Sequence, residues 1–264
     1  MNILVCVKQV PDTTEIKIDP VTNTLIRAGV PSIVNPYDGY ALEVGLRIKD
    51  AVGGTVTVLC MGPEQAKEAL KTCLAIGADK AWLLTDRLFG GSDTLATSYI
   101  LSRAVKKLEE EAPFDLILCG KQAIDGDTAQ VGPELAEHLG RPQVTCVIEL
   151  TADGDVVRGK RESDMGYDII ECATPALVTV TKTPFEPRFP TIRSRLAATR
   201  AEIPSITAAD LDLDLAHCGL KGSPTKVKKT FTPSRNKNVQ MLQADSPSAV
   251  AAQLLDALRR DNVA

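Results

Sequence analysis

The sequence predicts an α/β protein in which a mostly parallel sheet lies between two layers of helices. In the first 140 residues, four short apolar runs alternate with four segments whose apolar residues recur at helical spacing. Hydrophobic residues make up 44% and charged residues 24% of the 264 residues, which is ordinary for a soluble globular protein. Strands that alternate with helices build parallel sheets covered on both faces, so this class is expected here.

The four strands of the predicted parallel sheet are short apolar runs, as expected for strands buried on both faces. They are NILVCVK (2–8), TVTVLCM (55–61), AWLLT (81–85) and DLILCG (115–120). Between the first strand and the first helix, residues 15–29 alternate around the turn residues PVTN, which predicts a hairpin or an ordered loop.

Each strand is followed by a helix with a recognisable start. The first helix is expected to begin near Pro36 with Asn35 as its N-cap, because proline and asparagine favour these positions. Its inner stripe is Tyr37, Ala41, Val44, Ile48 and Val52. The other helices are expected over 63–78, over about 93–111 after Ser92, and from near Thr128.

After Gly140 the pattern changes to four strand-like runs, which are expected to extend the sheet with antiparallel strands at one edge. They are QVTCVIEL (143–150), DVVRGKRES (155–163), GYDIIECAT (166–174) and ALVTVT (176–181). A basic stretch with three prolines follows over 181–200, and proline at this density excludes sheet or a long helix.

The C-terminal part is predicted to be separate. From about residue 204 the periodicity is lost, until a final helix begins at Ser246 or Ser248. We expect one globular α/β domain over 1–203 and an arm over 204–264, whose helix packs on another surface because the arm buries little apolar surface by itself.

Composition argues against several classes of function. The net charge of −4 gives no basis for nucleic-acid binding, and no apolar run approaches the roughly 18 residues of a membrane span. The N-terminus lacks the basic region and cleavage site of a signal peptide. Seven cysteines without a C-x-x-C pair indicate reduced thiols in a cytoplasmic protein, and two isolated histidines argue against a metal or iron–sulfur site.

The segment CGKQAIDGDTAQVGPELAEHLG (119–140) carries the strongest signal of function, because ligands bind at the carboxyl ends of parallel strands. Gly120, Gly126 and Gly132 allow backbone N–H groups to approach a ligand closely. The helix expected from near Thr128 offers the positive end of its dipole to a phosphate.

Two aspartates in this loop are unexpected beside a phosphate. Asp125 and Asp127, with Thr128 and Gln130, can instead bond ribose hydroxyls, the adenine edge or the loop's own amides, which leaves other backbone amides for a diphosphate. The open alternative is a plain strand–helix junction with Asp127 as the helix N-cap, because D-G-D-T is ordinary turn chemistry.

Other segments are expected at the same edge of the sheet. These are VCVKQVPD after the first strand, NPYDGYALE at the start of the first helix, and CMGPEQ after the second strand. Each segment by itself has an ordinary structural explanation, but together the three could surround an adenosine.

These motifs resemble those of the beta subunit of electron-transfer flavoproteins, and the resemblance runs nearly end to end. The matching stretches are VCVKQVPD, NPYD with ALE, CMGP, CLAIGADKAWLLTD, CGKQAID with the D, Q and G that follow, and GKRESDMGYDIIECATPALVTV. The resemblance implies a Rossmann-like three-layer domain paired with a homologous alpha subunit. The FAD of that alpha subunit shuttles electrons to or from acyl-CoA dehydrogenases.

The loop separates two branches of this family. In the respiratory branch the beta subunit holds AMP and the loop reads D-D-D-x-N-Q-T-G, whereas here it reads D-G-D-T-A-Q-V-G. Gly126 and Ala129 leave less bulk and one fewer negative charge, which is similar to the electron-bifurcating branch, whose beta subunit binds FAD. In that branch NADH reduces this FAD. One electron then goes to ferredoxin or flavodoxin, and the other passes through the alpha-subunit FAD to an acyl-CoA dehydrogenase-type enzyme.

The resemblance implies cofactor contacts from the strand ends and from the loop. The matching positions are Cys6, Asn35, Asp38, Met61, Gly120, Gln122, Asp125, Gly126, Asp127, Thr128, Gln130 and Val131. No catalytic acid, base or nucleophile is implied, because a flavin carries out hydride and single-electron chemistry itself.

The resemblance also implies two surfaces for partners. PRFPTIRSRLAATRAEI matches the partner-recognition loop, so we expect Arg188, Phe189, Arg193 and Arg195 to face solvent and contact the dehydrogenase. In the alternative, Phe189 is tucked into the core. The final helix is expected to pack on the alpha subunit, or alternatively on its own domain, through Val250, Leu254, Leu255 and Leu258.

Two other functions stay open at this point. One is a non-bifurcating electron carrier subunit that holds AMP. The other is a stand-alone adenine-nucleotide sensor domain, which the unsupported C-terminal arm disfavours.

Overall fold

The computed structural model describes residues 1–12, 31–228 and 239–263, and it confirms the predicted three-layer α/β fold. The chain divides into two compact units, Met1–Lys228 and Lys229–Ala264. The hairpin or loop expected over 15–29 lies outside the described residues.

The strands of the described residues form one large sheet and one small pair. They are β1 Asn2–Val7, β2 Gln9–Pro11, β3 Ser32–Val34, β4 Thr55–Met61, β5 Lys80–Leu84, β6 Leu116–Gly120, β7 Gln143–Asp153, β8 Val156–Ser163, β9 Gly166–Ala173, β10 Ala176–Val180 and β11 Ser205–Ile206. The large sheet has the order β11-β5-β4-β1-β6-β10-β7-β8-β9, and β2 and β3 form the antiparallel pair. The strands from β11 to β7 are parallel, so their carboxyl ends meet at one edge.

Helices cover both faces of this sheet. They are α1 Pro36–Val52, α2 Lys67–Ile76, α3 Thr94–Glu109, α4 Val131–Leu139, α5 Ile192–Arg200, α6 Gly219–Gly222 and, in the second unit, α7 Pro247–Arg260. Because neighbouring strand residues point to opposite faces, Ile3 packs in the core with Leu42 of α1, whereas Leu4 packs with Ile100 of α3. The helices α1 and α2 therefore lie on one side, and α3 and α4 on the other.

The antiparallel edge expected after Gly140 is correct for β7, β8 and β9 but wrong for ALVTVT. That run forms β10, which lies parallel between β6 and β7, and all five of its residues are buried. The threonines of this run are buried as well as its valines, because the interior of the parallel sheet covers both faces of β10.

Two helix starts differ from the expectation. Helix α4 begins at Val131 rather than near Thr128. The short helix α5 was not predicted, because Ala198 is its one buried residue and its apolar stripe is weak. A reciprocal capping box between Thr191 and Ser194 starts this helix directly after the prolines.

The first compact unit ends at Lys228, later than the boundary expected near residue 203. Strand β11 pairs with β5, and Ile206 and Cys218 are buried in the core. In the second unit, α7 begins after Ser246, whose side chain accepts a hydrogen bond from the Ala249 amide as an N-cap. No residue of α7 is buried.

Two searches of the described part of the chain are negative. No helix there is both long and apolar enough to cross a membrane. The same residues contain no group of three or more His, Cys, Asp and Glu side chains that could hold a metal ion.

Candidate functional site

A cleft of about 320 Å³ lies at the carboxyl ends of β1, β4 and β6. Cys6 and Cys119 occupy paired positions of β1 and β6 at its floor. The loop that follows β6 forms one wall, and the start of α3 forms another. Ligands of α/β proteins bind at this edge of the sheet, so the cleft is the candidate site.

The cleft brings together eleven of the twelve cofactor residues predicted from the sequence. These are Cys6, Asn35, Asp38, Met61, Gly120, Gln122, Gly126, Asp127, Thr128, Gln130 and Val131. The twelfth, Asp125, lines an adjoining cavity of about 190 Å³. Lys8 and Met61 line both cavities, so the two spaces lie side by side.

Asn35 connects α1 to the loop of the cleft. It stands at the N-cap position, as predicted, but its side chain makes no capping hydrogen bond. Instead, its amide donates to the carbonyl of Gln122 at 2.8 Å, and its oxygen accepts from the Ile124 amide at 3.1 Å. The buried Asn35 side chain therefore braces the loop.

Asp38 joins the ends of two strands. Its carboxylate accepts hydrogen bonds from the backbone amides of Lys8, at 2.7 Å, and Gly120, at 3.1 Å. Burial outweighs these hydrogen bonds and raises the pKa of Asp38 to about 7. Both carboxylate oxygens are engaged by the protein, so Asp38 shapes the cleft rather than offering a free acceptor.

The loop between Gln122 and Gln130 has an unusual backbone. Asp127 and Ala129 have φ angles of 57° and 54°, in the left-handed region that L-residues seldom adopt. Alternation of left- and right-handed residues turns successive N–H groups toward one side, which suits an anion. Because α4 starts at Val131, the alternative of Asp127 as its N-cap is wrong.

Each aspartate of this loop has its own donor, which accounts for their presence in the cleft. Lys8 Nζ lies 2.7 Å from Asp125, whose side chain is largely buried. The amide of Gln122 donates to Asp127. The two carboxylates therefore stabilise the loop. The amides of Ile124, Gly126 and Asp127 already donate within the protein, so the amides from Thr128 to Gln130 are those that can face a ligand.

The start of α3 is a wall of the cleft that the sequence prediction missed. Ser92, Asp93, Thr94 and Thr97 line it, and Asp93 caps α3 by accepting from the Ala96 amide at 3.1 Å. Burial opposes ionisation of Asp93, but hydrogen bonds from Ala96 and Thr225 outweigh it and lower its pKa. Parallel strands place their carboxyl ends at one edge of the sheet, and β5 is one of these strands. The segment after β5 could therefore have been assigned to the cleft from the sequence.

Two helix N-termini converge on the cleft. The hydroxyl of Thr94, at the start of α3, lies 3.2 Å from Gln130, at the N-cap of α4, and 3.2 Å from Glu134. Helix N-termini favour anions through their unpaired amides and their dipoles. This arrangement offsets the negative charge of Asp93 and suits a phosphate-containing ligand.

The basic segment after β10 also agrees largely with the prediction. Phe189 is 91% exposed, so the alternative that it lies in the core is wrong, and Arg193 and Arg195 are exposed as expected. Arg188 differs, because it forms ion pairs with Glu43 and Asp50 and is half-buried. Ile192, at 84% exposure, adds a second apolar side chain to this surface.

An α/β domain whose cleft lies at the carboxyl edge of a parallel sheet, between two helix N-termini, has the architecture of a nucleotide-binding protein. Residues 22–211 match the family described as Electron transfer flavoprotein domain. The chain is 53% identical over 264 residues to the electron transfer flavoprotein subunit beta of Megasphaera elsdenii, covering 98% of each chain. It is 55% identical over 232 residues to the subunit of the same name from Clostridium acetobutylicum, covering 88% of each.

A third relative has a more specific name. The chain is 45% identical over 264 residues to the caffeyl-CoA reductase-Etf complex subunit CarD of Acetobacterium woodii, covering 100% of each chain. The protein therefore belongs to the electron transfer flavoprotein family and is homologous to its beta subunits. It has an electron-transfer role. Membership in this family favours electron transfer over the stand-alone nucleotide sensor.

Proposed function

We propose that this chain is the beta subunit of an electron-bifurcating electron transfer flavoprotein, and that its cleft and the adjoining cavity together hold FAD. The convergence of eleven predicted residues in one cleft carries the proposal. The adjoining cavity shares Lys8 and Met61 with the cleft, which supports a dinucleotide over AMP.

The loop supports the same ligand. A Cβ atom on Gly126 would meet no atom within 4 Å, so the cleft is open at this position. Gly120, in contrast, must be glycine, because a Cβ there would lie 2.3 Å from an oxygen of Asp38. Gly120 thus lets the end of β6 pack closely against the start of α1, whereas position 126 stays clear.

Within this proposal the chain binds and orients its cofactor. The backbone amides from Thr128 to Gln130 and the starts of α3 and α4 would hold the diphosphate, and the side chains of Cys6 and Met61 would pack against the adenosine. When bound, FAD supplies the hydride and single-electron chemistry, with NADH as the donor. No side chain of the chain is assigned a proton-transfer role.

The proposed partners follow from the family and from two exposed surfaces. An alpha subunit would cover the apolar face of α7, formed by Val250, Leu254, Leu255 and Leu258. An acyl-CoA dehydrogenase-type flavoenzyme would dock on the surface around Phe189 and Ile192, and ferredoxin or flavodoxin would take the other electron. The name of the Acetobacterium woodii relative, a subunit of a caffeyl-CoA reductase complex, supports a partner that acts on a CoA thioester.

Two measurements test this function. The chain is co-expressed with its alpha subunit, and the nucleotides extracted from the pair are identified; FAD in both subunits is expected, whereas FAD with AMP would place the protein in the other branch. Anaerobic NADH oxidation is then followed with ferredoxin and a CoA thioester dehydrogenase, supplied separately and together. Bifurcation requires both acceptors at once, so rapid oxidation with either one alone would refute it.

A further inference from the structure

The segment that presents Phe189 is clamped to one stripe of α1. Four residues of this stripe contact the segment Phe185–Arg188, and they are Tyr40, Glu43, Arg47 and Asp50. Their spacing of three, four and three residues places them on one face of the helix. We refer to these four residues as the α1 clamp.

Glu43 is the centre of the α1 clamp. Its side chain is 3% exposed, and its carboxylate accepts from the Arg188 amide at 3.0 Å and from Arg188 Nε at 2.8 Å. Arg188 Nη2 lies 3.2 Å and Arg47 Nε 2.9 Å from its other oxygen. Burial opposes ionisation of Glu43, but the hydrogen bonds from the two arginines outweigh it and lower its pKa.

The other contacts hold both ends of the same segment. The hydroxyl of Tyr40 lies 3.1 Å from Glu186, and the guanidinium of Arg47 lies 3.7 Å from the ring centre of Phe185. Asp50 accepts from Arg188 at 2.8 Å. The chain is therefore fixed in both backbone and side chain directly before the exposed Phe189.

The same helix reaches the cleft. Asn35 and Asp38, at the start of α1, brace the loop and the strand ends, whereas Glu43 and Asp50 hold the docking segment further along. The 17 residues of α1 span about 26 Å at 1.5 Å per residue. One helix thus connects the candidate cofactor cleft with the candidate docking segment.

We propose that Glu43 is a positioning residue for partner docking: by holding Arg188 it fixes the orientation of the Phe189 and Ile192 surface relative to the cleft. This inference rests on the proposed docking function. A fixed segment loses less conformational entropy when it binds a partner than a loose segment does. The clamp therefore acts on the affinity for the partner and leaves the chemistry of the cofactor unchanged.

The test compares Glu43→Gln with the wild-type pair, using butyryl-CoA dehydrogenase as the electron acceptor. Glutamine keeps the shape of the side chain but removes the charge that attracts both arginines. We expect KM for the dehydrogenase to rise about tenfold, equivalent to about 1.4 kcal/mol, with kcat and cofactor content unchanged. Glu68→Gln, an exposed change of the same kind on α2, serves as the control and should leave KM unchanged.

A second readout needs no partner. Hydrogen exchange of residues 185–196 should become faster in Glu43→Gln, while exchange in β1 and β6 stays as in the wild type. If Glu43→Gln lowers the unfolding temperature but leaves exchange of this segment and KM per folded molecule unchanged, Glu43 is merely structural and the inference is refuted. Where Glu43→Gln does not fold, Tyr40→Phe loosens the same clamp at its other end, and an unchanged exchange rate in that variant also refutes it.

Phe189→Ala separates this inference from the proposed docking function. If Phe189→Ala raises KM and Glu43→Gln does not, docking is correct and the positioning role fails. If Glu43→Gln raises KM and Phe189→Ala does not, the clamp is supported and the docking contact lies elsewhere on the segment. If neither variant changes KM, both proposals fail.

Discussion

The carboxylate of Asp38 accepts a hydrogen bond from the backbone amide of Gly120, and a Cβ on residue 120 would lie 2.3 Å from the same carboxylate. This contact joins the start of α1 to the end of β6 beneath the cleft. Burial raises the pKa of Asp38 to about 7, so the stability of the fold should depend on whether this carboxyl group is protonated.

Stability should therefore fall as pH rises from about 4 to about 7 and level off above that. A carboxyl group with a raised pKa binds its proton more tightly in the folded state, so its contribution is fully present below the unfolded pKa of about 4 and is lost as pH rises through about 7. The loss is on the order of 4 kcal/mol. Unfolding by denaturant, measured between pH 4 and pH 8, should show this slope for the wild type and a flatter one for Asp38→Asn. Equal slopes for the two proteins would show that Asp38 does not titrate in this range.

Gly126→Asp should remove FAD from the beta subunit and leave the alpha-subunit flavin in place. A side chain at position 126 meets no neighbour within 4 Å, so the added charge repels the phosphates without disturbing the fold. Flavin content and unfolding temperature of the purified pair measure the two effects. Gly126→Ala is the matched control and should retain FAD; equal flavin content in all three proteins would mean that residue 126 does not face the cofactor.

Ala129→Asn should stabilise the chain by about 0.5–1 kcal/mol, because asparagine tolerates the left-handed backbone better than alanine does. The φ angle of Ala129 is 54°. Thermal unfolding of the cofactor-free chain should therefore shift upward by about 1–4 °C. Ala112→Asn, at an exposed position outside the left-handed region, should give no such gain. A lower unfolding temperature for Ala129→Asn would show that this loop conformation does not persist.

Charge on the apolar face of α7 should weaken pairing with the alpha subunit. Leu254 and Leu258 are not buried, so replacing both with glutamate should leave the unfolding of the compact α/β unit unchanged. Co-purification with a tagged alpha subunit should nevertheless decrease about tenfold or more. Ala252→Glu, on the opposite face of α7, is the control; full pairing of the double variant would exclude this face as the contact.

Phe189→Ala should slow electron delivery to the dehydrogenase, while the content of both flavins and the reduction of the beta-subunit FAD by NADH are spared. At 91% exposure, Phe189 contributes little to the core, so the unfolding temperature should stay within about 1 °C. Rapid-mixing measurements of dehydrogenase reduction, compared with flavin content, would detect the change. An aromatic anchor of this kind typically contributes about 2 kcal/mol or more to an interface, so an unaltered rate would place the docking contact elsewhere.

Much of the site could be predicted from the sequence because its residues follow strands with a clear local pattern. Apolar runs without alternation predicted β1, β4, β5 and β6, and parallel strands place their carboxyl ends at one edge. Glycines and the resemblance of the loop then located Gly120, Gly126 and Gln130, which the structure brings into one cleft. These inferences depend on local sequence and on one general rule of topology.

Other features were decided only by the tertiary structure. ALVTVT reads equally well as an edge strand or a central one, because an apolar run reports burial but not its partner strands; its place between β6 and β7 comes from contacts distant in sequence. The left-handed backbone of Ala129 was also hidden, because alanine seldom adopts this conformation and its local sequence gives no signal of it. Glu43 and Arg188 lie 145 residues apart in the chain, and nothing in either local sequence indicates that one holds the other. Local sequence patterns thus specify which segments become strands, helices and the cleft loop, whereas pairing across long separations in the chain sets how their side chains meet.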